Sequence, residues 1–71
     1  MNKNVTFDEY KAEVIRDFYK VSGMSEEDAA PFLNSNLAQK KIKTSYKYFT
    51  TTDVGGFDPR AVASCLDMLY E

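Results

Sequence analysis

The chain reads TFDEYKAEVIRDFYKVSG at residues 6–23, and this stretch carries signals for both ends of an α-helix. Thr6 and Glu9 have the T-x-x-E spacing of a capping box, in which each side chain accepts a hydrogen bond from the other residue's backbone. Apolar residues follow at steps of three and four, on one helix face: Phe7, Tyr10, Val14, Phe18 and Val21. Gly23 supplies the left-handed conformation that ends many helices. The stretch therefore predicts a helix at about 7–22.

A second helix is predicted at about 26–34. Ser25 is a favoured N-cap residue, and the three acids that follow it suit the positive end of the helix dipole. If Ser25 is the cap, Pro31 lies deep in the helix and removes a backbone hydrogen bond. If Asp28 is the cap, Pro31 falls in the first turn, where proline is tolerated. With either cap we expect a short or bent helix.

Two longer helices are predicted downstream. Asn36 is expected to cap a third helix at about 37–50. A β-strand across 46–52 is the alternative, because Tyr, Phe and Thr favour strands. We prefer the helix because no second strand is predicted to pair with it. Pro59 stands at the favoured first position of a fourth helix at about 59–70.

The whole chain, 1–71, is short enough to be a single domain. The expected fold is all-α, a small bundle of three to four helices. A lone cysteine, Cys65, precludes an intramolecular disulfide and favours a reducing compartment. The N-terminal residues lack the apolar core of a signal peptide, and no stretch is long enough to cross a bilayer. We therefore expect a cytoplasmic protein that does not associate with membranes.

The composition argues against catalysis. The chain contains no histidine, which removes the usual neutral-pH acid–base catalyst and most zinc sites. Cys65 lies among the apolar residues of the fourth helix and is expected to be an inert core residue. Glu26, Glu27 and Asp28 are consecutive, so their side chains point in different directions and do not converge on a metal ion. We expect no enzyme, no catalytic residue, no cofactor and no metal.

Two of the predicted helices carry more apolar surface than a small bundle is expected to bury. The fourth is apolar except for a narrow polar stripe, and the first has a second apolar stripe beside its core face. Monomers rarely expose large apolar patches. The leading hypothesis is therefore a non-enzymatic interaction module that binds a protein partner or a second copy of itself, as a homodimer. The candidate partner-binding residues are Ala12, Ile15, Tyr19, Met68 and Tyr70.

A basic segment supplies the alternative hypothesis. Residues 34–52 hold four lysines and no acid, whereas the whole chain has a net charge of −2. Lys40, Lys43 and Lys47 recur at i, i+3 and i+7, on one face of the third helix. Tyr48 is a candidate group for stacking on a base. The alternative function is nucleic-acid binding. The other interpretation is an ordinary solvated helix face, which acids of other helices would neutralise if they lay beside the lysines.

Overall fold

The computed structural model describes residues 5–52 and 55–70, and all regular secondary structure within these ranges is helical. Four helices follow one another: α1 at Phe7–Ser22, α2 at Glu26–Leu33, α3 at Asn36–Thr51 and α4 at Pro59–Tyr70. The predicted all-α bundle is confirmed, with every boundary within one residue. The strand considered at 46–52 is wrong, because these residues continue α3 to its C-cap, Thr52. The single-domain prediction for 1–71 extends beyond the described residues and stays a prediction.

Local hydrogen bonds hold both ends of α1. The Thr6 hydroxyl accepts from the Glu9 N–H at 3.2 Å, and the Glu9 carboxylate accepts from the Thr6 N–H at 3.0 Å. The capping box is therefore complete. Gly23 has a φ of 75°, and its N–H donates to the Tyr19 carbonyl at 3.0 Å. These bonds join residues close in sequence, which is why the sequence pattern alone was enough to locate them.

α2 begins at the earlier of the two caps considered. The Ser25 hydroxyl accepts from the Asp28 N–H at 3.2 Å, so Ser25 is the N-cap and the alternative assignment to Asp28 is wrong. Pro31 lies inside this helix of 8 residues. The helix is short, as expected, and it ends two residues after the proline. Its last turn is closed by the Asn34 N–H, which donates to the Ala30 carbonyl at 2.9 Å.

Ser35 connects α2 to α3 and corrects the predicted cap of α3. Its hydroxyl accepts from the Ala38 N–H at 3.3 Å, which makes Ser35, and not Asn36, the N-cap. The same hydroxyl donates to the Phe32 carbonyl at 2.5 Å. One side chain thus satisfies backbone groups at the end of α2 and at the start of α3. Asn36 is exposed and begins the helix instead.

The core lies mainly between α1 and α4, which pack most extensively, and α2 and α3 enclose it. All four helices contribute buried apolar side chains: Tyr10, Val14, Phe18, Ala29, Leu33, Ala38, Ile42, Val62, Ala63 and Leu66. The Cα radius of gyration is 11.5 Å, close to the ~11 Å expected for a compact chain of this length. The chain therefore closes a core with its own helices.

Two tyrosine hydroxyl groups hold distant backbone against this core. Tyr10 is fully buried and donates to the Phe57 carbonyl at 2.5 Å, whereas Tyr46 donates to the Val5 carbonyl at 2.7 Å. Burial, and then the negative charge of Asp58, raise the pKa of the Tyr10 phenol above its ordinary value. The bond to Phe57 holds the segment before α4 against α1 and so fixes where α4 starts.

Candidate interaction surfaces

Three large exposed apolar side chains of α3 and α4, Leu37, Met68 and Leu69, lie along one groove. Two open depressions, of about 210 Å³ and about 390 Å³, lie side by side between these helices. They share Lys41 and Leu69 and are therefore continuous. We call this surface the α3–α4 groove, and its lining residues are Leu37, Lys40, Lys41, Thr44, Cys65, Met68 and Leu69.

The exposure of these side chains marks the groove as an apolar surface in contact with water. Met68 is 75% exposed, Leu37 is 53% exposed and Leu69 is 48% exposed. Single exposed apolar residues are normal on protein surfaces, but three large ones around one groove form a patch. The groove is thus lined by a patch of apolar side chains in contact with water.

Helix geometry explains why α4 leaves these residues outside. α4 buries Val62, Ala63 and Leu66, which span about 100° of its circumference. Met68 stands about 170° from the middle of that arc and Cys65 about 110°. The prediction that Cys65 is a buried core residue is therefore wrong: the thiol is free and exposed, and it lines the groove. α4 is apolar nearly all round, yet only one side of it faces the core.

The predicted partner-binding residues do not form one surface. Ala12, Ile15 and Tyr19 line a separate depression of about 360 Å³ together with Arg16 and Glu26. Within that set, Ala12 is exposed, but Ile15 and Tyr19 are half-buried against the core. The α1 stripe is therefore partly used by the fold itself.

Of the two candidates on α4, only Met68 lies in the groove. Tyr70 is half exposed, and its ring packs edge-on against Phe32, with the ring centroids 5.1 Å apart. Phe32 in turn stacks on the buried Phe18, with ring centroids 5.7 Å apart. Tyr70 thus extends an aromatic row that begins in the core, so part of its surface is already covered.

The lysine stripe lies on the exposed side of α3. Lys40, Lys43 and Lys47 are exposed, and no described carboxylate pairs with any of them. The described acids of other helices therefore form no ion pair with the stripe. The candidate stacking residue Tyr48 is 42% exposed, and its ring leans on Phe57 with the centroids 5.3 Å apart. One side of that ring is therefore partly occupied.

Sequence reasoning missed Leu37, Lys41 and Leu69 as surface candidates. A signal was present, since Leu37, Lys41 and Thr44 recur at i, i+4 and i+7 on α3. The lysine and the threonine concealed it, because a search for apolar periodicity skips both. The lysine side chain nevertheless has an apolar stem, so the row of Leu37, Lys41 and Thr44 lines an apolar groove.

Metal sites and membrane spans are two further features that bear on function. Across 5–52 and 55–70, no group of three or more His, Cys, Asp or Glu side chains converges as a metal site would require. In the same ranges no helix has the length and apolar character needed to cross a bilayer. The perturbed phenol of Tyr10 is buried and already donates to the Phe57 carbonyl, so it acts as a tether.

Comparisons with known proteins return no match for this chain. No family model matches it, and neither does a curated protein or a solved structure. Inference about its function therefore starts from the groove and the lysine stripe.

Proposed function

We propose that this protein is a small, non-enzymatic interaction module that binds a protein partner at the α3–α4 groove. The observation that carries the proposal is the continuity of the two depressions through Lys41 and Leu69. The proposed binding surface therefore lies on α3 and α4, and not on α1 and α4 as the sequence suggested. Met68 keeps its place in it, whereas Ala12, Ile15 and Tyr19 belong to a separate surface.

Packing within the fold does not explain why the exposed residues of the groove are apolar. Leu37, Met68 and Leu69 lie outside the buried cluster, and Met68 points almost directly away from it. Methionine is flexible and polarisable, and it is common on surfaces that adapt to a partner. Burial of these side chains by a partner would remove apolar surface from water, which is the main driving force of association.

Affinity capture from a lysate of the native host, with and without nuclease, tests the proposal. We expect the wild-type chain to retain a protein that Leu69→Asp loses, with nuclease making no difference. Val21→Glu is the matched control, because Val21 is an exposed apolar residue outside the groove, at 38% exposure. The proposal fails if Leu69→Asp, folded by circular dichroism, captures the same proteins as wild type.

Nucleic-acid binding remains a second candidate, because Lys40, Lys43 and Lys47 are exposed and no described acid pairs with them. Three phosphate contacts on duplex DNA would give a salt slope of about −2.7. Fluorescence anisotropy with a labelled duplex and a labelled single strand checks this at low salt. Binding that disappears in Lys43→Glu/Lys47→Glu supports it, and failure to bind either probe removes it.

We also place the module in a reducing, cytoplasmic compartment. Cys65 is a free thiol exposed in the groove. An exposed thiol at a binding surface is readily oxidised outside such a compartment.

A further inference from the structure

We propose that the occupant of the α3–α4 groove is an amphipathic α-helix whose apolar stripe is flanked by carboxylates. The proposal rests on the proposed function, since it names the partner of that same site. It follows from three properties of the groove: its length, the type of its walls and the charge of its rim.

The length of the groove matches two turns of a helix. Its α3 wall runs from Leu37 to Thr44, eight residues whose seven steps span about 10 Å along the helix axis. Helices that lie in grooves insert side chains at i, i+3 or i+4, and i+7, and this stripe has the same length. The α4 wall supplies Cys65, Met68 and Leu69 at i, i+3 and i+4. The groove thus accepts three or four apolar side chains from one face of a helix.

The walls argue against two other common modes of peptide recognition, strand addition and proline-rich binding. An extended peptide binds by adding a strand to a sheet edge, but both walls here are helices. The central backbone groups of a helix are already hydrogen-bonded within it. Proline-rich peptides bind grooves lined by aromatic rings, and no Phe or Tyr lines this groove. A bound helix needs no backbone hydrogen bonds from the groove, because its own backbone groups are already paired, so apolar contacts with the lining residues are sufficient.

The rim of the groove carries positive charge alone. Lys40 and Lys41 line it, and none of the lining residues is an acid. α3 itself contains four lysines and no Asp or Glu. Lys41 is half-buried, which places its stem along the apolar floor and leaves the ammonium for the edge. Carboxylates beside the apolar stripe of the bound helix would meet these ammonium groups.

The same rim argues against a second copy of the chain docked groove to groove. Such a homodimer would bring two pairs of Lys40 and Lys41 to one interface, with no acid among the lining residues to offset them. Like charges across an interface suppress association. The groove of a second copy is therefore not the complementary occupant, and the charge of the rim favours an acidic helix.

A displayed library of 18-residue helical peptides tests the proposal, with both the apolar stripe and its flanks randomised. The full chain is the bait. We expect enriched peptides to carry Asp or Glu beside the stripe and to lose binding to Leu69→Asp while keeping it to Val21→Glu. A synthetic enriched peptide should bind about tenfold more tightly than its copy with Lys flanks, a factor reasonable for two rim ion pairs. In Lys40→Glu/Lys41→Glu this preference should reverse.

The outcomes separate this proposal from the proposed function. Enriched peptides that depend on Leu69 but have neutral or basic flanks overturn the acidic helix and leave the groove as the binding site. Dimerisation of the wild-type chain in sedimentation, abolished by Leu69→Asp, overturns it in favour of a second copy. If no enriched peptide depends on Leu69, the helical occupant is refuted. The proposed function then fails as well only if affinity capture is also independent of Leu69.

Discussion

Replacing Tyr10 with phenylalanine removes one oxygen from the interior of the bundle and keeps the ring. That oxygen belongs to a fully buried side chain and donates to the Phe57 carbonyl at 2.5 Å. The net loss of a hydrogen bond costs about 0.5–1.5 kcal/mol, and a half-buried carbonyl left without its donor raises the cost. We expect Tyr10→Phe to lower the free energy of unfolding by about 1–3 kcal/mol at pH 7. A chain of this size has only about 3–5 kcal/mol in total.

The pH dependence of the same variant provides a second, independent readout. The pKa of the Tyr10 phenol is raised by burial and by Asp58, whereas a tyrosine in the unfolded chain titrates near ~10. Below pH ~10 the phenol is protonated in both states and the stabilisation is fully present. Above it the unfolded state releases a proton that the folded state keeps, so stability falls by up to ~1.4 kcal/mol per pH unit. Because phenylalanine does not titrate, the difference in free energy of unfolding between wild type and Tyr10→Phe should become smaller as the pH rises above ~10.

Urea unfolding followed by circular dichroism at pH 7, 9, 10 and 11 measures both effects. With a slope of about 1 kcal/mol per molar urea, Tyr10→Phe should shift the midpoint at pH 7 by at least about 1 M. Tyr48→Phe is the matched control, because the same oxygen is lost from a ring that is 42% exposed; its change should stay within about 0.5 kcal/mol. The reasoning is refuted if Tyr10→Phe behaves like Tyr48→Phe at pH 7, or if the gap is unchanged from pH 9 to pH 11.

Five further substitutions, two of them controls, test the packing and the helix ends by urea unfolding. Leu66→Ala leaves a cavity at a fully buried position and should lower the free energy of unfolding by about 2–5 kcal/mol. Leu69→Ala in the groove should lower it by less than about 1 kcal/mol. Equal losses for the two variants would contradict the assignment of the α4 faces. Ser35→Ala removes the N-cap of α3 and should lower the free energy of unfolding by about 0.5–2 kcal/mol, whereas Asn36→Ala should lower it by only a few tenths. A larger loss in Asn36→Ala than in Ser35→Ala would show that Asn36 is the cap. Gly23→Ala forces a side chain into the left-handed region at φ 75° and should cost about 1–2 kcal/mol, so a neutral result would contradict that conformation.

The two functional hypotheses use different parts of the basic segment, which makes them separable. Lys40 and Lys41 line the groove, whereas Lys43 and Lys47 do not. Charge reversal at Lys43 and Lys47 therefore weakens nucleic-acid binding and spares a partner helix. Leu69→Asp should instead weaken binding of a partner helix and leave nucleic-acid binding unchanged.

The helix ends were predictable because their determinants are local. Thr6, Glu9 and Gly23 act within one turn of themselves, and the structure places them as expected. The caps of α2 and α3 were harder, since neighbouring residues such as Ser35 and Asn36 are both favoured cap types. The choice of Ser35 depends on a second bond to the Phe32 carbonyl in the preceding helix, and residue preference does not include that bond.

The sequence by itself determined that this protein is a small all-α bundle of three to four helices, where each helix lies to within one residue and which side of α1 and α3 is apolar. Those properties follow from periodicity and capping, which act over a few residues. Only the tertiary structure decided which apolar residues remain in water. α4 is apolar nearly all round, so its own pattern does not select a buried face, and packing against α1 makes that selection. That contact leaves Cys65, Met68 and Leu69 outside, where the neighbouring α3 turns them into one wall of a groove.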